Sequence, residues 1–183
     1  AAGKLVATGG DQARPVYPRS AIKVFQALPM IESGAADAFG FGDEELSLAC
    51  ASHNGEEAHV RVARGMLARA GLSEDQLECG AHWPLLAEAA HALARAGGKP
   101  LAIHNNCSGK HAGMLALARH LGVETTGYVD VSHPVQQKVA ATLADYCEID
   151  PASLPRGIDG CSVPTWAFPL PAMARGFARL TRA

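Results

Sequence analysis

The densest group of reactive side chains in the sequence lies between His104 and His111. A thiol, an amine, a hydroxyl and two imidazoles surround one glycine here, just before the alanine- and leucine-rich segment 112–121. At a helix start, free backbone N–H groups and the helix dipole favour an anionic thiolate or a bound anion. Together with two serines upstream, Ser20 and Ser52, this stretch indicates an enzyme.

Ser20 and Lys23 form a Ser-x-x-Lys sequence at a predicted helix start. Residues three apart share a helix face, so the amine can reach the hydroxyl. Lysine acts as a base only when neutral, so its pKa of about 10.4 must fall by roughly three units, which corresponds to about 4 kcal/mol. Burial or a neighbouring cation such as Arg19 can cause that shift. The alternative is an N-cap serine followed by a solvated lysine.

Ser52 lies in a polar segment, residues 50–56, between two predicted helices. Polar residues at such a break can line a cleft, and Ser52 is a candidate for a second nucleophile or a proton carrier. The alternative is a simple helix boundary with His53 and His59 on the surface.

Cys107, Lys110 and Cys161 are candidate metal ligands, because the first two lie three residues apart at a helix start. Two thiolates suit zinc but do not complete a tetrahedral shell. Deprotonating lysine at neutral pH costs on the order of 4 to 5 kcal/mol. Binding of a structural zinc ion releases roughly 10 to 16 kcal/mol, which is enough to offset that cost. A water held by Asp159 can complete the shell. Two alternatives stay open. The cysteines can be small buried residues that bind no metal, or the metal can have other ligands, namely His82, His104 and His111.

Composition excludes several functional classes. The chain has 183 residues, a hydrophobic fraction of 48% and a net charge of -2, so one domain with a core is expected and neither nucleic acid nor an anionic membrane is an expected partner. No apolar run approaches the roughly 18 residues of a membrane span. Five irregularly spaced cysteines favour reduced thiols in a cytoplasmic protein over a disulfide framework.

Hydrophobic periodicity and capping residues predict an α+β protein that is mostly helical. The expected strands are residues 5–8 and 15–17, with a turn at 9–11 between them. Two short strands make no stable sheet, so we expect more sheet from sequence outside this chain. The expected helices are residues 20–33 with a kink or a shortening at Pro29, 43–51, 56–70, 73–76, 84–96, 110–121 and 134–146, and a last helix from Pro171.

Four stretches of the sequence resemble the zinc-associated, rhizobial type of bacterial L-asparaginase, the asparaginase II family. They are residues 17–23 with 26–29, residues 49–56, residues 106–114 and residues 159–161, and the similarity runs nearly end to end. The resemblance implies a fold like that of serine β-lactamases and penicillin-binding proteins, with helices beside an antiparallel sheet. It also implies one catalytic domain over residues 1–183, incomplete at both ends relative to the family.

The resemblance further implies a role for particular residues in a cytoplasmic homodimer that hydrolyses L-asparagine to L-aspartate and ammonia. Ser20 would be the nucleophile, Lys23 its base and Ser52 part of a second serine–lysine pair. Cys107, Lys110 and Cys161 would bind zinc, with Asp159 close by through water. The substrate-binding residues would be Arg19, His53, Asn54, His111 and Gly160.

One residue departs from the family pattern, and two other functions stay open. Ser162 follows Cys161 where glycine is more often expected. A β-lactamase-like serine acylase also uses Ser-x-x-Lys, but it has no place for a cysteine-rich metal site. A non-catalytic, zinc-stabilised binding module is the third hypothesis.

Overall fold

The computed structural model describes residues 7–181, which contain eight α-helices and four short strands. None of these helices has the length and apolarity needed to cross a membrane. Short 3₁₀ turns occur at Arg19–Ile22, Glu74–Gln76 and Ala102–His104. The strands are β1 (Pro15–Val16), β2 (Arg156–Ile158), β3 (Pro164–Trp166) and β4 (Phe168–Pro169). The helices are α1 (Lys23–Glu32), α2 (Ala35–Ala38), α3 (Asp43–Cys50), α4 (Glu57–Arg69), α5 (Ala87–Arg95), α6 (Ser108–His120), α7 (Pro134–Cys147) and α8 (Leu170–Leu180).

Helix α6 is the central element of the protein. Every residue from Ser108 to Ala118 is buried, and α6 packs against α1, α3, α4 and α7. A helix that is covered on all sides needs small or apolar residues around its whole circumference, and the Ser-Gly-Lys-His-Ala-Gly-Met sequence is polar only in its first turn. The polar first turn is therefore held inside the protein, where a site can form.

Two glycines allow the neighbouring helices to approach α6 closely. A Cβ atom on Gly109 would lie 2.6 Å from the carbonyl oxygen of Leu48 in α3. A Cβ atom on Gly113 would lie 3.1 Å from the sulfur of Met30 in α1. These approaches bring the end of α3 and the segment that follows it against the first turn of α6.

The four strands form two antiparallel pairs. β1 pairs with β4, with Val16 opposite Phe168, and β2 pairs with β3 in a hairpin, with Ile158 opposite Pro164. Within the hairpin loop, the Asp159 amide donates to the Val163 carbonyl at 2.9 Å. The Ser162 amide donates to the Asp159 carbonyl, also at 2.9 Å. The loop that carries Cys161 is therefore fixed by backbone hydrogen bonds.

The α+β class and the main helices are confirmed, with three differences. The predicted helix at 20–33 begins with a 3₁₀ turn, Arg19–Ile22, and α1 passes through Pro29 to Glu32. Helix α2 and strands β2 to β4 were not predicted, because elements of two to four residues have too short a pattern for periodicity to show. Of the strand expected at 5–8, residues 5 and 6 lie outside the described residues, while 7 and 8 are not in a strand.

Candidate active site and metal centre

A cavity of about 210 Å³ brings together four separate parts of the chain, namely residues 19–23, His82, residues 105–110 and residues 159–161. A larger hollow of about 450 Å³ lies between α4 and α5, but its lining contains no serine or cysteine. Four of the predicted site residues lie outside the lining of the smaller cavity, namely Ser52, His53, Asn54 and His111. Its lining residues are Arg19, Ser20, Lys23, His82, Asn105, Asn106, Cys107, Lys110, Asp159, Gly160 and Cys161.

Lys23 is the first residue of α1 and is only 1% exposed. Its amine donates to the carbonyl oxygens of Ala51 at 2.6 Å and Asn106 at 3.3 Å. Burial lowers the pKa of Lys23 below its usual value, and the charge of Lys110 acts in the same direction, whereas Cys107 opposes the shift. In its neutral form the amine would have two N–H bonds, one for each of these carbonyl acceptors, and a lone pair able to accept a proton.

Ser20 is exposed and lines the same cavity as Lys23. It follows Arg19, whose φ of +50° is in the left-handed region that non-glycine residues rarely adopt. The Arg19 guanidinium lies 3.6 Å from the carboxylate of Asp159, and its side chain is 68% exposed. The chain therefore turns sharply where the hydroxyl enters the cavity, and such strain is concentrated at functional sites.

Ser52 lies in the connection between α3 and α4 and is exposed. The residues on both sides of it are tied to the cavity. The carbonyl of Ala51 accepts from Lys23, and the amide of His53 donates to the carbonyl of Asn106 at 3.1 Å. Ser52 and Asn54 thus lie at the edge of the site without lining its cavity.

His53 is 4% exposed and acts as a support inside the protein. Its Nδ1 accepts from the Gly55 amide at 3.1 Å, so its Nε2–H donates to the hydroxyl of Ser108, 2.8 Å away. Burial lowers the pKa of His53 to about 4, with further lowering from the charges of His59, Lys23 and His82. At neutral pH the ring is uncharged and holds the first residue of α6.

Cys107, Lys110 and Cys161 are all buried and share the cavity. Cys107 is the N-cap of α6, Lys110 is in the first turn, and the Lys110 amine lies 3.1 Å from the sulfur of Cys161. A hydrogen bond from Cys107 lowers the pKa of the Cys161 thiol, and the nearby His111 and Lys110 lower it further. The same hydrogen bond, together with burial, raises the pKa of Cys107. Negative charge is therefore favoured on Cys161 over Cys107.

The donor set fits a zinc ion only if lysine is a ligand. Within residues 7–181, no group of three or more histidine, cysteine, aspartate or glutamate side chains is placed to hold a metal. Two cysteine sulfurs and the Lys110 amine supply three donors, and Asp159 lines the same cavity with its side chain 11% exposed. Burial and the negative charge of Cys161 raise the pKa of Asp159. A divalent cation would neutralise this concentration of negative charge.

His111 is fully buried behind the cavity. Its Nδ1 lies 2.7 Å from the hydroxyl of Tyr128. The same hydroxyl accepts a hydrogen bond from the Glu78 amide at 2.9 Å. Burial lowers the pKa of His111 to about 4. Among the described residues, its Nε2 is buried without a hydrogen-bond partner. The ring therefore lies behind the cysteines and not on the cavity surface.

The φ of Ser162 is +73°, in the left-handed region. Glycine adopts this conformation without strain, which gives a physical reason for the glycine that the sequence resemblance leads one to expect after the cysteine. The backbone hydrogen bond from Ser162 to Asp159 keeps the turn closed despite the side chain.

Three lining residues were not among the predicted site residues: His82, Asn105 and Asn106. The sequence named His82 only as an alternative metal ligand. Its Nε2 instead accepts from the Asn106 amide at 3.0 Å. Asn105 and Asn106 lie within the group of reactive side chains at residues 104–111. Their position next to Cys107 was the sequence feature that could have identified them as site residues.

A protein-family model described as L-asparaginase II matches residues 1–183, which include every residue of the cavity. A search of curated proteins finds no match.

Proposed function

The chain belongs to the L-asparaginase II family, a family of asparaginase-type amidohydrolases, and we propose that Ser20 is the nucleophile with which it hydrolyses L-asparagine. The observation that carries this proposal is the buried Lys23 amine in the cavity that Ser20 lines, where burial lowers the pKa of Lys23 and two backbone carbonyls accept from its amine. A serine hydroxyl and a lysine amine in one cavity can together supply the nucleophile and the base of amide hydrolysis.

In the first half of the reaction, Lys23 accepts the hydroxyl proton of Ser20 while the oxygen attacks the side-chain carbonyl carbon of asparagine. Backbone N–H groups of the Arg19–Ile22 turn stabilise the oxyanion. The carbon–nitrogen bond then breaks, and the Lys23 ammonium returns its proton to the leaving nitrogen, so that ammonia is released. The product on the enzyme is an aspartyl ester of Ser20.

In the second half, Lys23 accepts a proton from water, and the oxygen of that water attacks the ester carbonyl. The ester bond breaks, Lys23 protonates Ser20 and L-aspartate is released. Ser52, held at the edge of the site by its neighbours Ala51 and His53, is proposed as a proton carrier in both halves.

Zinc is proposed as the cofactor, bound by Cys107, Lys110 and Cys161 with Asp159 behind a water molecule. Bound zinc supplies a positive charge and a stiff anchor at the substrate end of the pocket. For the substrate-binding residues, we propose that Arg19 and Gly160 contact asparagine from the cavity wall and Asn54 from its edge. His53 and His111, both buried, would then act from behind the surface.

The remaining features rest on the resemblance in sequence. We propose that the two antiparallel pairs and the helices correspond to part of a serine β-lactamase-like fold, and that the protein forms a homodimer in the cytoplasm. All five cysteines are free, which is compatible with a reducing compartment.

The test is ammonia release from L-asparagine by the zinc-loaded protein, with Ser20→Ala and Ser52→Ala measured in parallel. Full loss in Ser20→Ala at an unchanged melting temperature is the expected result. Activity in Ser20→Ala but not in Ser52→Ala would make Ser52 the nucleophile. Hydrolysis of nitrocefin would favour the serine acylase. A melting temperature that depends on zinc, with no measurable function altered in Ser20→Ala, would favour the binding module.

A further inference from the structure

The two consecutive asparagines of the site differ in what their side chains do. Asn105 is 4% exposed, and its Nδ2 donates to the carbonyls of Cys79 at 2.8 Å and Gly80 at 2.9 Å. Its Oδ1 accepts from the Cys107 amide at 2.9 Å. All three hydrogen bonds join backbone segments, so Asn105 holds the site together and has no amide group left for a ligand.

Asn106 is half-buried in the cavity wall, and its backbone is fixed on both sides. Its amide donates to Nε2 of His82 at 3.0 Å. Its carbonyl accepts from Lys23 at 3.3 Å and from the His53 amide at 3.1 Å. The backbone therefore supports the proposed base, and the side chain is held where a ligand can meet it.

The tautomer of His82 decides which end of the Asn106 side-chain amide faces the cavity. Nδ1 of His82 lies 2.6 Å from the Trp83 carbonyl and must carry the proton, because a carbonyl only accepts. Nε2 is then an acceptor, as its hydrogen bond from the Asn106 amide requires. Oδ1 of Asn106 lies 3.3 Å from this nitrogen, which would place two acceptors together.

Rotating the Asn106 amide by half a turn removes this conflict, because amide oxygen and nitrogen are assigned from the hydrogen-bond network. Nδ2 then donates to Nε2 of His82, and Oδ1 is left for the cavity. Of the other side-chain acceptors in the lining, one Asp159 oxygen lies 3.6 Å from the Arg19 guanidinium, and both ends of the Asn105 amide are hydrogen-bonded to backbone. Ser20 is the proposed nucleophile.

We propose that Asn106 is a substrate-binding residue whose Oδ1 accepts a hydrogen bond from the α-ammonium group of the amino-acid substrate, with His82 fixing the orientation of the amide. The inference rests on the proposed function, since it assigns one end of the same substrate. Asn106 thereby distinguishes an α-amino acid amide from an amide that lacks the amino group.

The test compares L-asparagine with succinamate, which is the same molecule without its α-amino group. For Asn106→Ala we expect kcat/KM for asparagine to fall about 10- to 100-fold, the effect of losing one hydrogen bond to a charged group. The value for succinamate should stay within about twofold, as expected when no contact is lost. Asn106→Asp keeps an acceptor for the ammonium group but loses the hydrogen bond to His82, and it should retain more asparagine hydrolysis than Asn106→Ala. Asn105→Ala is the matched control, expected to lower the melting temperature and to affect both substrates by the same factor.

Equal losses for the two substrates in Asn106→Ala, or no loss for either, would overturn the inference. Dissociation constants for both ligands, measured by calorimetry in a Ser20→Ala background, give the same comparison without turnover. If the wild-type protein releases no ammonia, the hydrolase proposal fails, while these constants still decide the role of Asn106. Absence of asparagine binding to that background would overturn both.

Discussion

The Lys23 amine donates to the carbonyl oxygen of Ala51 at 2.6 Å, and Ala51 immediately precedes Ser52. One hydrogen bond therefore connects the start of α1 to the segment that carries the second serine. The positions of the Lys23 amine and of the segment that carries Ser52 consequently depend on each other.

Lys23→Arg should lower kcat for asparagine by at least about 100-fold, the usual contribution of a general base. A guanidinium cannot lose its proton in a protein, so arginine keeps the charge of lysine but cannot accept the proton of Ser20. Steady-state ammonia release measures the effect. Lys138→Arg, at an exposed position in α7, is the control and should behave like the wild type. Wild-type turnover by Lys23→Arg would rule out lysine as the base.

Removal of zinc should raise KM for asparagine more than it lowers kcat, because the metal is proposed to anchor substrate and not to attack it. The experiment is a comparison of metal-free and zinc-reconstituted protein over a range of asparagine concentrations. A collapse of kcat at constant KM would contradict the anchoring role.

Cys161→Ser should weaken zinc binding by more than about tenfold, since it removes one of two thiolate ligands. Competition with a chromophoric chelator measures this affinity without any turnover. Cys50→Ser is the matched control, because Cys50 is a free cysteine outside the cavity lining. Equal affinities in the two variants would place the metal elsewhere.

Gly109→Ala should destabilise the protein by about 1 to 3 kcal/mol, the range for overpacked sites. The new methyl group would meet the carbonyl oxygen of Leu48 at 2.6 Å, and backbone cannot move aside as a flexible side chain can. Gly65→Ala in α4 is the control, because a Cβ there has no described neighbour within 4 Å. It should be stabilising by up to about 1 kcal/mol. Urea unfolding midpoints measure both, and a neutral Gly109→Ala would contradict the close approach of α3 and α6.

The stability of the protein should rise with pH between about 4 and 6.5, in part because of His53. Its pKa is about 4 in the folded protein and 6.5 ordinarily, so in this window the unfolded chain binds a proton that the folded protein does not. The contribution is on the order of 3 kcal/mol and is lost on acidification. His53→Gln should flatten the dependence, whereas His91→Gln, at an exposed site in α5, should not. An unchanged slope in His53→Gln would place the titration elsewhere.

Local patterns were sufficient to predict the helices and the pairs of reactive residues three apart. Ser20 with Lys23 and Cys107 with Lys110 are such pairs, and all four side chains line the cavity. A helix repeats every 3.6 residues, so residues three apart share a face whatever the rest of the chain does. Cys161 and Asp159 were candidates for their side-chain chemistry, and the resemblance to known asparaginases supported them, but no periodicity linked them to Cys107 and Lys110.

Only the tertiary structure determined how these parts meet. Cys161 lies 3.1 Å from the Lys110 amine although 51 residues separate them, and the hairpin of β2 and β3 that places it is too short to leave a pattern. Similarly, His82 reaches Asn106 from 24 residues away. Such distances follow from packing, as do the close approaches of α3 and α1 to α6 at Gly109 and Gly113. Close approach between distant segments depends on side-chain shape in three dimensions, and no repeat along a single sequence encodes it.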